Sequence, residues 1–290
     1  MLISLPPIFK PMKKTIVLVL SILTLQNVQA QYYYNDLVLT AQASEKQRKS
    51  AQAKIYSIDF LSFDGQGAAI EGLESKQQYK KDYRESSTQS SFPLGGKAFS
   101  RSTFDQQYRL LQQVDSGEDH RNVTSYEYNK DGRLLKLSTI NQSEGGFQIS
   151  EEHVWEYNTK GQPLKMTRIK NGKDSSFIRF ELDEQGRVAE ETGLRKGLSL
   201  PSVYYYYDEL GRLTDVVRYN NAAKKLLPDY VFEYDEKGLI GSMIVVPEGS
   251  NEYQKWYYSY DEDGLKQLEA CYSKSKQLIG KVEYQYKYYE

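Results

Sequence analysis

Side chains able to do chemistry are scarce in this chain. Two histidines, His120 and His153, and one cysteine, Cys271, are its whole stock of imidazole and thiol groups. His120 lies in the turn-like run Gly117-Glu118-Asp119-His120-Arg121, whereas His153 follows Glu151-Glu152 in a strand-like run. Nothing in their spacing brings them together on a metal. Cys271 reads as a small apolar residue on a sheet face. Carboxylate pairs such as Glu151 with Glu152, or Asp261 with Asp263, are of the type a glycosidase uses as acid and nucleophile. Most acids, however, are explained by turn chemistry and solvated strand faces. Gly-x-Ser-x-Gly, His-Glu-x-x-His and Walker-type runs are absent from the sequence. The expectation is a protein that is not an enzyme, with no catalytic residue, no metal and no cofactor.

Tyrosine is the one side chain in excess, with 26 copies. Tyr presents a rigid apolar body and a polar tip, suited to stacking on a sugar ring or a peptide. Tyr204 and Tyr206 are out of phase with Tyr205 and Tyr207, and Tyr257 is out of phase with Tyr258 and Tyr260. Period two in a strand puts these three on the opposite face from their neighbours. Tyr204, Tyr206 and Tyr257 are therefore the candidate ligand-binding residues, with a glycan or an envelope protein as the partner.

The other tyrosines belong to a repeat. The pattern aromatic-x-aromatic-[Asp/Asn]-x-x-Gly is anchored at Gly132, Gly161, Gly186, Gly211, Gly238 and Gly264, at intervals of 29, 25, 25, 27 and 26 residues. A near-constant period means units that bury their apolar faces against their neighbours. The second aromatic is Tyr128, Tyr157, Tyr207, Tyr234 or Tyr260, with Leu182 the exception. Asn or Asp, as in Asp208, opens a turn, and the glycine closes it with φ > 0, giving a tight hairpin with a bulge. Aspartates at this period also suggest a calcium cage, but Lys130, Lys160 and Lys237 fall in the same turns and argue against it. Looser turns are marked by Gly145-Gly146, Asn171-Gly172, Lys196-Gly197, Asn220-Asn221 and Pro247-Glu248-Gly249. Phe104-Asp105 fits the frame with Tyr108 in the glycine position, and Phe63-Asp64-Gly65-Gln66-Gly67 is a degenerate first copy.

These residues resemble the YD repeats of the Rhs and teneurin families, in which Tyr-Asp is followed by Gly-Arg-Leu. The match is closest at Tyr207, Asp208, Gly211, Arg212 and Leu213, and covers roughly residues 99–290. The present period is longer than the usual unit. Rhs proteins are large shells around a C-terminal toxin, and here nothing follows the array. In kind the chain is more similar to small secreted tyrosine-rich YD-repeat proteins of Bacteroidota. The resemblance implies an all-β fold and an exported protein without catalysis.

Four segments are expected. Residues 1–30 form a signal peptide: Lys13 and Lys14, then an apolar run, then Val28-Gln29-Ala30 as the cleavage site. Met12 is a plausible true start. Residues 31–54 form a helical cap over the first strand, with Asn35-Asp36 at its N-terminus. Residues 55–98 hold degenerate strands and a Ser/Gly-rich loop, and residues 99–290 hold the repeats. The predicted form is an antiparallel hairpin meander that stays an extended, twisted or partly curled sheet. Its last strand, 281–290, would lie at an edge guarded by Lys281, Glu283 and Lys287. Lys10, Lys13 and Lys14 leave with the leader, which takes the net charge from −1 to −4. That excludes the basic surface nucleic acid requires. No span of the mature chain is expected to cross a membrane: the second strands carry Lys136, Arg168, Lys170, Glu190 and Glu191. The product is predicted to be a periplasmic or extracellular monomer serving as a structural or interaction module.

Overall fold

The structure is a computed structural model and describes residues 32–93, 95–220, 224–247 and 252–290. The expected leader, and Asn221, Glu248 and Gly249 of two looser turns, lie outside the described residues. Helix α1 spans Asn35–Gln52. The first half of the strands comprises β1 (Ile55–Asp64), β2 (Glu74–Tyr79), β3 (Glu85–Ser91), β4 (Lys97–Phe104), β5 (Leu110–Ser116), β6 (His120–Tyr128), β7 (Leu134–Ser143), β8 (Gln148–Tyr157) and β9 (Pro163–Lys170). The second half comprises β10 (Asp174–Leu182), β11 (Val188–Arg195), β12 (Leu198–Tyr207), β13 (Leu213–Asn220), β14 (Lys225–Tyr234), β15 (Ile240–Val245), β16 (Gln254–Tyr260), β17 (Lys266–Ser273) and β18 (Leu278–Tyr288).

Each strand pairs antiparallel with the next, and β1 pairs on both sides: Ile58 lies opposite Gln77 of β2 and opposite Tyr286 of β18. The 18 strands therefore form one closed barrel. The all-β class and the N-terminal helix hold, but the open or partly curled sheet does not. Nor is β18 an edge, since it is hydrogen-bonded to β17 as well as to β1. Closure satisfies the two rows of N–H and C=O groups that an open meander would leave unpaired. The charges expected to guard an edge join the outer wall instead: Lys281 pairs with Glu283 at 2.6 Å and Lys287 with Asp59 at 2.7 Å.

Tight turns gather at one mouth. In each, the Asn or Asp side chain folds back on the backbone: Asn129 Oδ1 accepts from the N–H groups of Asp131 and Arg133, both at 2.9 Å. The glycine N–H then returns to the Asn129 carbonyl at 2.9 Å, with Gly132 at φ 81°. Tyr108 takes the glycine's place after Asp105 at φ 61°. At the opposite mouth Asp64 makes the same side-chain fold onto Gln66 and Ala68.

Alternation divides the wall into two faces. The lumen receives the motif aromatics, of which Trp155, Phe180 and Tyr205 are buried, and Trp256 beside them is buried as well. The outer wall carries cross-strand ion pairs, Lys136 with Glu152 at 2.6 Å, Lys165 with Glu156 at 2.9 Å and Lys255 with Glu233 at 3.0 Å. A lipid-facing barrel needs an uncharged outer band, and these pairs put charge on the wall where such a band would run. Two of the charges cited from sequence, Arg168 and Glu191, turn out to face inward and are buried. The run expected to be a Ser-rich loop also contains β3, whose inward Ser90 shares a hydroxyl hydrogen bond with Ser75 at 2.8 Å.

Helix α1 lies inside the barrel. Eighteen residues make a rod about 27 Å long. Eighteen strands at about 4.8 Å give a circle roughly 27 Å across before tilt widens it. The helix thus has the length to cross the lumen. Tyr32, Tyr34 and Leu37 pack on a core cluster from β7–β13, and Ala51 and Ala53 on a second one built around β1 and β16–β18. With no sheet edge among the described residues, it has no edge strand to cap. Tyr34, not Asn35, is the N-cap residue.

Candidate functional site: the lumen and its helix

The repeat tyrosines line the tight-turn mouth, and their hydroxyls are already engaged. Tyr128 donates to the Leu110 carbonyl at 2.7 Å, Tyr157 to Leu134 at 2.6 Å and Tyr207 to Val188 at 2.8 Å. Tyr234 donates to Leu213 at 2.7 Å, Tyr260 to Ile240 at 2.9 Å and Tyr286 to Lys266 at 2.7 Å. In every case the acceptor sits two residues beyond the preceding repeat's glycine position. Each bond ties one tight hairpin to the previous one, at the mouth where no chain connection joins them. Leu182 has no hydroxyl, and there Gln162 Nε2 reaches the Gly186 carbonyl at 3.2 Å instead.

The residue after the glycine completes the device. Arg187 pairs with Asp183 at 2.7 Å and lies 4.5 Å over the Tyr207 ring; Arg212 pairs with Asp208 at 2.7 Å and lies 4.5 Å over Tyr234. Arg109 does the same with Asp105 and Tyr128. These arginines pass over the next repeat's glycine, so a Cβ on Gly132 would meet Arg109 Nη1 at 3.0 Å. Glycine is needed both for its φ and for this space. The Gly-Arg pairs at Arg133, Arg187 and Arg212 were the sequence signal for this arrangement.

A buried polar cluster fixes the start of α1. Glu191 accepts from the Tyr33 N–H at 2.9 Å, the Tyr34 N–H at 3.0 Å and the Tyr205 hydroxyl at 2.8 Å. A carboxylate beside the first backbone N–H groups of a helix suits its dipole. Burial nevertheless pushes the Glu191 carboxyl up. Asp36 meets His153 Nδ1 at 2.6 Å, Nε2 faces Glu151 at 3.0 Å, and Glu151 takes a 2.5 Å bond from Arg168. Burial opposes the imidazolium, but Asp36 and Glu151 outweigh it and hold His153 up to about 9. Burial likewise opposes the Glu151 carboxylate, and hydrogen bonds from His153 and Arg168 bring it down to about 2. The cluster is a salt-bridged anchor with an arginine inside it. Among the described residues no group of His, Cys, Asp and Glu is arranged to hold a metal. At its far end the helix is held by Gln47 Nε2, which donates to the Tyr83 carbonyl at 2.8 Å.

Between α1 and β12–β17 lies a cavity of about 400 Å³. Tyr207, Phe232, Tyr234, Tyr258 and Tyr260 wall it, Leu39 and Gln42 of the helix floor it, and Lys266 stands at its side. None of the binding residues expected from sequence lines it. Tyr206 and Tyr257 are exposed on the outer wall and Tyr204 is half-buried there. Tyr206 on β12 and Tyr257 on β16 are four strands apart, on the order of 19 Å, so they do not form one site. Sequence reasoning missed Asp36 and Glu191, whose partners His153 and Tyr33 lie more than a hundred residues away, and Lys266, which comes to the helix-side cavity only in the closed barrel.

No protein-family model and no curated protein matches this chain. Among solved structures it is similar to the TcdB2-TccC3 toxin component, at 17% identity over 74% of this chain and with a TM-score of 0.33. The match spans only 12% of the toxin chain. It is also similar to a porin-like protein from Bacteroides uniformis, at 12% identity over 80% of this chain and 98% of the other, TM-score 0.38. A porin-like protein from Bacteroides vulgatus gives 11% identity over 66% and 93%, TM-score 0.31. No helix among the described residues is long and apolar enough to cross a membrane.

Proposed function

We propose that the chain is an exported, monomeric, non-catalytic barrel built on YD-type repeats, serving as a structural or interaction module at the cell envelope. One observation carries this reading: the recurring polar side chains are consumed by the wall. Asp208 and its equivalents fold back on turns, Arg212 and its equivalents stack on tyrosines, and the tyrosine hydroxyls bind carbonyls. The buried His153 and Glu151 hold the helix. The test is export in a Gram-negative host that carries the full gene. The reading expects a mature chain beginning at Gln31 in the periplasmic or extracellular fraction, running as a monomer. A cytosolic chain that keeps residues 1–30 would overturn it.

The exposure of Tyr206 and Tyr257 favours a second reading, carbohydrate binding on the outer wall. Tyr204→Ala and Tyr206→Ala should then slow migration through polysaccharide gels less than wild type is slowed, with Tm unchanged. Wild type that no polysaccharide retards leaves only the structural role.

A further inference from the structure

The lumen cavity has a feature that wall-building does not explain. Asn35, Leu39, Gln42 and Lys46 follow one another at helical spacing on a single face of α1, and the first three line the cavity. Lys46 comes next on that face. Its side chain is exposed, open to the lumen. The surrounding wall and the nearby Lys266 pull its ammonium down to about 8. Lys266 borders the cavity, with its Nζ 4.5 Å from the Tyr258 ring centre and 3.0 Å from Glu269. Glu269 is the one carboxylate acting on both lysines, and Lys46 makes no ion pair among the described residues. Two ammonium groups thus stand on the lumen side with one carboxylate between them to offset their charge, an arrangement that a further anion relieves.

The barrel side of the cavity is mostly aromatic. The hydroxyls of Tyr207, Tyr234 and Tyr260 are bonded to wall carbonyls, so these residues offer rings rather than polar tips. Phe232 and Met243 add apolar surface. A volume of about 400 Å³ falls in the range of small-molecule sites. We propose that this cavity binds an amphipathic anion, with its acidic head between Lys46 and Lys266 and its apolar body among Tyr207, Phe232, Tyr234 and Tyr260. A carboxylate, sulfonate or sulfate head on an aryl or acyl body satisfies both ends. The site does not depend on the envelope role and stands or falls separately from it.

The probe is 8-anilinonaphthalene-1-sulfonate, titrated into the mature protein and read by fluorescence. Saturable binding at one site per chain is expected. Lys46→Gln and Lys266→Gln should each weaken it about tenfold, as loss of a charge-assisted contact does. Lys165→Gln on the outer wall should leave it unchanged. N-phenyl-1-naphthylamine, which has similar rings without the sulfonate, should bind more weakly and ignore the lysine changes. Because Lys266 also pairs with Glu269, Tm is measured for each variant, and Lys46→Gln should melt as wild type does. Octanoate and phenylacetate then separate acyl from aryl bodies, and displacement by either supports the site. Absence of saturable binding, equal binding of both dyes, indifference of the sulfonate dye to both lysine variants, or failure of both acids to displace it would each overturn the proposal.

Discussion

Tyr234→Phe isolates the bond that joins one hairpin to the last. The Tyr234 hydroxyl donates to the Leu213 carbonyl at 2.7 Å, while Arg212 lies 4.5 Å over the ring. Phenylalanine keeps the ring, its packing and the stacked guanidinium, and removes only the hydroxyl. A neutral hydrogen bond of this kind contributes about 1 kcal/mol net. For a chain of this size that lowers Tm by about 2–4 °C. Tyr206→Phe on the outer wall is the control and should leave Tm where it was. Successive bonds of this type are two strands apart, roughly 10 Å, far enough for their effects to add. Removing all six hydroxyls, at Tyr128, Tyr157, Tyr207, Tyr234, Tyr260 and Tyr286, should then cost about 6 kcal/mol. That is comparable to the whole stability of an ordinary domain. Calorimetry and urea titration of the single and sixfold variants read the effect. If Tyr234→Phe melts like Tyr206→Phe, or the sixfold variant loses less than about 2 kcal/mol, the hydroxyls do not hold the hairpins together.

The turn chemistry makes Gly211→Val costly by on the order of 1–2 kcal/mol or more, because φ there is 78°. Glu209→Val, exposed in the same turn, should be nearly neutral, and equal Tm losses would contradict the assignment. The helix anchor predicts a pH window. His153 is raised from 6.5 to about 9, so its contribution is full below pH 6.5 and fades as pH rises towards 9. Glu151 is lowered from 4.5 to about 2, so its contribution is full above pH 4.5 and fades as pH falls towards 2. Tm should therefore peak between about pH 4.5 and 6.5, and His153→Gln should flatten the alkaline side; an unchanged alkaline limb would remove His153 from the anchor. Deleting residues 281–290 removes most of β18 and opens the wall on two sides, so the truncated chain should lose its cooperative melt. A cooperative melt near the full-length Tm would contradict closure.

Turn register was legible in the sequence because it is local chemistry: Asn129, Asp208 and Asp235 announce turns whose glycines follow three residues later. The inward phase of the aromatics follows from period two. Closure was not legible. Ile58 and Tyr286 pair across more than two hundred residues, and nothing near either one signals the other. The Ser-rich β3 looked like a loop because serine has little strand propensity, yet facing the lumen it meets Ser75 of β2. Asp36 looked like a helix cap, and its partner is His153, 117 residues away. The cavity lysines were hidden for the same reason, since Lys46 and Lys266 come together only when the helix enters a closed barrel.

Closure itself is tested most directly by cross-linking the seam. Leu61 of β1 lies opposite Glu283 of β18, and both face outward. Leu61→Cys with Glu283→Cys places two thiols on facing strands, while the native Cys271 stays buried and out of reach. On mild oxidation the closed barrel predicts a rapid intramolecular disulfide in the monomer, seen by mass spectrometry of the joined peptides. An open sheet would leave both thiols free or link them only between molecules, and that result would contradict the account.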